Sequence, residues 1–295
     1  MREPVKTLAE GFSFLEGPRW HDGRLWASDF YTHRVVAIDA AGRVETMARV
    51  PAQPSGLGFL PDGDALIVSM RDRRLLRRGA DGNLRTHADL HALAPWHLND
   101  MVVDGRGNAY VGNFGFDLMG GAPQQATHLI LVTPDGDARV VAGGLMFPNG
   151  MVITPDGKTL VVAESLGPRL TAFAIGPQGE LGPGRTWADL GRPASGQGGS
   201  IRGTIVPDGI CLDAEGAIWV ADAEHPRAVR IAEGGARLEE VATEGIGVYA
   251  CTLGGDDGRT LFLCAAPSYR EHERAHTRDA RVLTTRVGAW RAGWP

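Results

Sequence analysis

The chain has 295 residues, 43% of them apolar, with a net charge of −5 and a pI near 6.0. That length and apolar content allow a sizeable core, and the absence of any Lys/Arg run or basic face excludes nucleic acid and anionic membrane as expected partners. No window is apolar enough to span a bilayer, and the start Met1-Arg2-Glu3-Pro4-Val5 has no signal-peptide core. Three cysteines, Cys211, Cys251 and Cys264, form no CxxC pair, so buried thiols in a reducing cytoplasm are expected rather than a disulfide scaffold.

Helical periodicity is nearly absent. The 41 glycines and 18 prolines are spread along the chain as turn residues between short apolar runs. One unit recurs: a small or polar start, an apolar strand, a tight turn and a second apolar strand. In chain order the copies begin at Glu16 (EGPRW, then LWASD), Ser55 (SGLGF, then ALIVS) and Asn99 (NDMVV, then AYVGN). They continue at Asn149 (NGMVI, then LVVAE), Asp208 (DGICL, then IWVAD) and, more weakly, Tyr249 (YACTL, then LFLCA). The starts lie 39 to 59 residues apart, close to the ~40–45 residues of a four-stranded propeller blade, with loop insertions in the longer units. Turns such as His21-Asp22-Gly23 and Pro155-Asp156-Gly157 suit hairpins because glycine accepts positive φ. Third and fourth strands follow each pair. The expected fold is all-β: one six-bladed propeller over residues 1–295 with four-stranded antiparallel blades, the stretch from Val5 closing the last blade as its outer strand. Closure of this kind removes exposed sheet edges.

In a propeller the innermost strands line the axis, so equivalent repeat positions form a ring around it. Read in order, that ring is Glu16, Ser55, Asn99, Asn149, Asp208 and Tyr249. Four of the six carry carboxylate or carboxamide oxygens. Two anions and two neutral oxygen donors suit one hard divalent cation, Ca²⁺ first, with Mg²⁺ or Mn²⁺ also accommodated and Zn²⁺ less so, because the ring has no His or Cys. A second set, Asp29, Asn113, Glu164 and Asp222, ends the second strands on the same face and could orient the first. The alternative for that set is ordinary hydrogen bonding within the blades. The Gly-hinged loop from Asn113 and Phe114 to Pro123, with Trp96, His97, Met146, Phe147 and Tyr249, is expected to cover the site, and the Gly/Ser-rich segment 190–206 to form part of its rim. An apolar cover of this kind points to a substrate less polar than a sugar acid lactone.

The motifs FLEGPRW, LNDMVVD, FPNGM and PDGICLDAEGAIWVAD also resemble those of the senescence marker protein/gluconolactonase (regucalcin-like) family, over nearly the whole chain. The resemblance implies a six-bladed propeller and a metal-dependent lactone hydrolase, with superfamily relatives that hydrolyse organophosphates. It places the family's metal ligands on Glu16, Asn149 and Asp208, and a further Asn that contacts metal or substrate on Asn99. Sugar-lactone members carry an Arg two residues before that Asn, where this chain has His97, a departure that argues against aldonolactone specificity. The expected reaction is hydrolysis of a small lactone or related ester, with Asp208 as general base and Asn99, His97, Asn113, Phe114 and Tyr249 around the substrate. The alternatives are a phosphotriester hydrolase on the same site and a calcium-binding propeller without catalysis. No residue pattern specifies an oligomeric state.

Overall fold

The computed structural model describes residues 3–191 and 203–293. The described residues form six four-stranded antiparallel sheets. In five of them the strands follow chain order. The sixth is built from both ends of the described chain: Lys6–Phe12 is its outer strand, paired with Ala280–Arg286, followed inward by Thr260–Ala266 and Gly247–Gly254. The arrangement is the six-bladed propeller expected from the repeat.

The innermost strands are Leu15–His21, Pro54–Phe59, Leu98–Val103, Pro148–Ile153, Pro207–Leu212 and Gly247–Gly254. Neighbouring blades cover both faces of each, so these strands are almost wholly buried and read as continuous apolar runs rather than as alternation. Outer strands such as Val44–Arg49 and Arg237–Ala242 are charged and largely open to water. The core is correspondingly divided into six apolar clusters, each clamped between adjacent blades. Fully buried side chains such as Trp219, Leu66 and Leu90 hold these layers, each contributing roughly 1.5–3 kcal/mol of transfer free energy.

At the axis the backbones approach one another closely. A Cβ added to Gly150 would lie 2.5 Å from the Ile210 nitrogen of the next blade, and one added to Gly209 would lie 2.6 Å from Ala250. Glycine after the ring residue therefore lets adjacent innermost strands draw together. The same place carries a register irregularity in every blade, between Glu16 and Arg19, Leu98 and Met101, Pro148 and Met151, and Pro207 and Ile210 among others. Bulges of this type re-aim a side chain at a sheet rim.

No helix among the described residues is long and apolar enough to cross a membrane.

Candidate functional site

Glu16, Asn99, Asn149 and Asp208 each occupy the second position of an innermost strand and line one cleft of about 260 Å³. Each is only 7–8% exposed. Ser55, the equivalent residue of blade two, is buried, and its carbonyl accepts a 2.6 Å bond from Ser28. Tyr249 of blade six is buried against Phe14, with ring centres 5.0 Å apart, and backs the cleft without lining it.

The electrostatics of the four follow from burial. Burial pushes the Glu16 carboxyl well above the ordinary range, and the nearby Asp208 and Asp100 carboxylates add to the shift. Asp208 is pushed up to about 8, first by burial and then by Asp100, against the opposing hydrogen bond of the Asn149 side chain. Asp100 stands where most blades place the close-approach glycine. Its partner is the buried Arg19, which lies 3.3 Å from it and also donates to the Met101 carbonyl. The carboxamide nitrogens are spent within the protein: Asn99 Nδ2 donates to the Pro148 carbonyl (3.1 Å) and Asn149 Nδ2 to Ser165 Oγ (3.2 Å). Each amide oxygen is thus the atom left for a ligand.

Two carboxylates destabilised by burial and by the nearby Asp100 charge, together with two amide oxygens, fit a hard divalent cation. Among the described residues no three His, Cys, Asp or Glu side chains cluster tightly enough to hold a metal alone, so the amides are needed to complete the donor set.

The second set of residues does something more specific than expected. Asp29, Asn113, Glu164 and Asp222 are fully buried. Three of them grip the chain two or three residues ahead of a ring residue. Asp29 accepts from Ser13 N (2.9 Å) and Phe14 N (3.3 Å), Glu164 from Met146 N (2.7 Å), and Asp222 from Val206 N (3.2 Å). Each carboxylate is itself held by an arginine one strand further out: Arg34, Arg169 and Arg227 respectively. These residues set the entry of the Glu16, Asn149 and Asp208 strands through the backbone. Asn113 spends its amide on Gly115 N, Thr127 Oγ1 and the His128 carbonyl, so it fastens the loop and does not line the cleft.

Phe114 does line the cleft, 4.6 Å from Phe147 between ring centres. Phe147 sits in the left-handed region at φ 59°, a backbone cost of order 1 kcal/mol that tends to collect at functional sites. His97 stands behind this wall: its ring stacks on Trp96 at 5.0 Å, lies 6.0 Å from Phe114, and does not line the cleft. Leu118 and Met119 of the expected cover loop do line it. Val206 lies at the end of the expected 190–206 rim segment and lines the cleft, whereas residues 192–202 lie outside the described residues.

Among the lining residues that the sequence did not single out, three join separate parts of the fold. Ser165 bridges blades four and five, accepting from Asn149 and donating to the Pro207 carbonyl at 2.6 Å. Tyr31 donates to the Tyr269 carbonyl at 2.6 Å, tying blade one to the 267–279 segment. Tyr269 itself overhangs the cleft. That segment is charged, holds the four-residue helix Glu271–Arg274, and lies between the second and third strands of blade six, the place that residues 114–126 occupy in blade three.

Comparison with known proteins identifies the family and the fold. The SMP-30/gluconolactonase/LRE-like region profile matches residues 14–267. The pentonolactonase of Haloferax volcanii is 27% identical over 85% of this chain and 81% of its own length. The 6-deoxy-6-sulfogluconolactonase of Pseudomonas putida is 25% identical over 92% and 90%, and regucalcin of Gallus gallus 25% over 88% and 85%. Among solved structures, a gluconolactonase from Xanthomonas campestris shares the fold with a TM-score of 0.74, at 22% identity over 96% of this chain and 89% of that one. The calcium-binding protein regucalcin from Agrobacterium tumefaciens has a TM-score of 0.75 at 21% identity, over 95% and 92%. With the family profile spanning all four ring residues, the chain belongs to the SMP-30/gluconolactonase/LRE-like family.

Proposed function

We propose that the chain is a divalent-metal-dependent hydrolase that opens a lactone to its hydroxy acid. The observation that carries this reading is the convergence of Glu16, Asn99, Asn149 and Asp208 in one apolar-walled cleft. Similarity to lactonases supports the reaction class. Similarity to regucalcin and the all-oxygen donor set support calcium as the first metal to test.

Glu16 and Asp208 would hold the cation with the oxygens of Asn99 and Asn149. When bound, the metal supplies Lewis acidity, polarising the substrate carbonyl and making a nearby water more acidic. Asp208, a carboxylate on the cleft wall, would serve as the chain's general base and take the proton of the attacking water. Glu16 balances charge. The water oxygen bonds to the acyl carbon, the ring C–O bond breaks, and one water proton passes to the departing alkoxide. The other is released as the carboxylic acid ionises. The walls of Phe14, Phe30, Phe114 and Phe147 keep bulk water from the reacting ester.

The test is turnover of a panel of lactones, aryl esters and phosphotriesters, followed by proton release with and without EDTA. Lactone turnover that EDTA abolishes and Ca²⁺ restores is expected. Asp208→Ala should lower kcat at least about 100-fold, with metal binding followed separately by calorimetry. Activity surviving in that variant with metal bound would remove the base assignment. Stoichiometric calcium binding with no turnover of any substrate would make the protein a binding propeller instead.

A further inference from the structure

Resting on the lactonase reading above, we propose that the cleft selects lactones carrying a hydrocarbon or aryl substituent and discriminates against lactones bearing an anionic group. The first observation is size. A cleft of about 260 Å³ far exceeds the roughly 10–15 Å³ that one water-sized group needs on this measure. That is more than a five- or six-membered lactone ring needs, so a substituent of several carbons shares the space.

The second observation is the wall. Beyond the ring of oxygen donors the cleft is bounded chiefly by Phe30, Phe114, Leu118, Phe147 and Leu166. At its mouth Met119 and Tyr269 are 55% and 41% exposed, so a longer chain leaving the cleft still meets apolar surface. Of the hydroxyl groups in the wall, those of Ser165 and Tyr31 are already engaged, which leaves the Tyr269 hydroxyl and the Glu224 carboxylate. Ser165 is bonded to Asn149 and Pro207, and the Tyr31 hydroxyl is spent on the Tyr269 carbonyl. A polyhydroxylated ring would surrender more water than these few groups replace.

The third observation is charge. Glu16, Asp208 and Glu224 are the charged side chains among the described lining residues, and no Lys, Arg or His joins them. A cation held by Glu16 and Asp208 offsets their two charges, so a carboxylate or sulfonate on the substrate's tail would meet the remaining negative charge of Glu224, with no described Lys, Arg or His in the cleft wall to receive it.

The experiment is a series of γ- and δ-lactones with straight alkyl tails of increasing length. It is run on the metal-loaded protein beside glucono-δ-lactone and beside an alkyl lactone ending in a carboxylate. The expected result is a kcat/KM that rises about fourfold per methylene over the first few carbons. The carboxylated compound should fall at least about tenfold below its uncharged isostere, about the discrimination that a like-charge contact at a partly exposed site confers. Met119→Lys, which adds a cation at the exposed rim, should narrow that gap by about threefold at low salt and less at high salt. A flat chain-length series, or a preference for glucono-δ-lactone, would overturn the inference and leave the lactonase reading intact. If no lactone is opened, calorimetric binding of the matching alkyl lactams separates the two readings. Affinity rising with tail length retains the apolar ligand preference and removes hydrolysis, whereas affinity independent of tail length removes both.

Discussion

At the scale of single residues, the ring is a place where folding works against itself until a ligand arrives. Asp208 and Glu16 are buried beside one another and beside Asp100, and Arg19 offsets only part of that charge. A carboxyl whose folded-state pKa is raised binds more protons folded than unfolded between its ordinary value and the raised one, so stability falls as pH rises through that window. For Asp208 the window runs from the ordinary 3.8 to about 8. In EDTA the melting temperature should therefore decline from pH 6 to pH 9. Adding Ca²⁺ should raise it most at the alkaline end, and mixing at pH 7 should release protons as the carboxyls give them up to the metal. Differential scanning fluorimetry over that range, with a pH-stat on mixing, checks both. A melting temperature flat with pH in EDTA would contradict the buried, proton-holding carboxyls. The four ring residues were legible because a repeat places equivalent side chains around one axis. Asn113 was not: an Asn at a strand end reads alike whether it turns to the cleft or, as here, into its own blade toward Thr127.

At the scale of elements, each innermost strand is aimed by its neighbours. Asp222 ties the Val206 backbone to Arg227, one strand further out, and Glu164 ties Met146 to Arg169. Breaking such a buried pair from one side leaves the partner charge uncompensated. Asp222→Asn should cost about 3–5 kcal/mol in urea unfolding and should weaken metal binding through a displaced Asp208 strand. A loss under 1 kcal/mol would mean that this carboxylate does not hold the strand entry. The cover over the cleft is likewise fastened from outside, by Tyr31 to the Tyr269 carbonyl and by Arg71 to the Glu271 carboxylate at 2.7 Å. Tyr31→Phe removes the hydroxyl that reaches the Tyr269 carbonyl. Loss of one hydrogen bond, about 0.5–1.5 kcal/mol, should raise KM several-fold with kcat little changed, as steady-state kinetics on an alkyl lactone would show. The Phe114 loop announced itself by its aromatics and glycines. The 267–279 segment, in the same place between the second and third strands of blade six, did not, because its charges outnumber its aromatic residues.

At the scale of the whole molecule, the ring closes by pairing Lys6–Phe12 with Ala280–Arg286, so that the sixth blade joins the two ends of the chain. Phe12 is 1% exposed within the cluster between blades six and one, the cluster that also carries Phe14, Phe30 and Tyr249. Phe12→Ala should cost about 3–5 kcal/mol, measured by chemical denaturation, and should loosen the cleft as well as the seam. A cost near zero would mean that this strand is not part of the closure that holds the ring. By itself the sequence determined the number of blades, their strand order and the four oxygen donors at the axis. Those depend on local periodicity and on a repeat that symmetry converts into a ring. Only the tertiary structure decided which polar residues face the cleft and which are consumed in holding it open. It also decided that Ser165, Tyr31 and Tyr269 belong to the site and that His97 stands behind its wall. Those outcomes depend on hydrogen bonds and ring contacts between segments distant in sequence, as Tyr31 and Tyr269 are, and no local pattern encodes which partner a buried polar group will find.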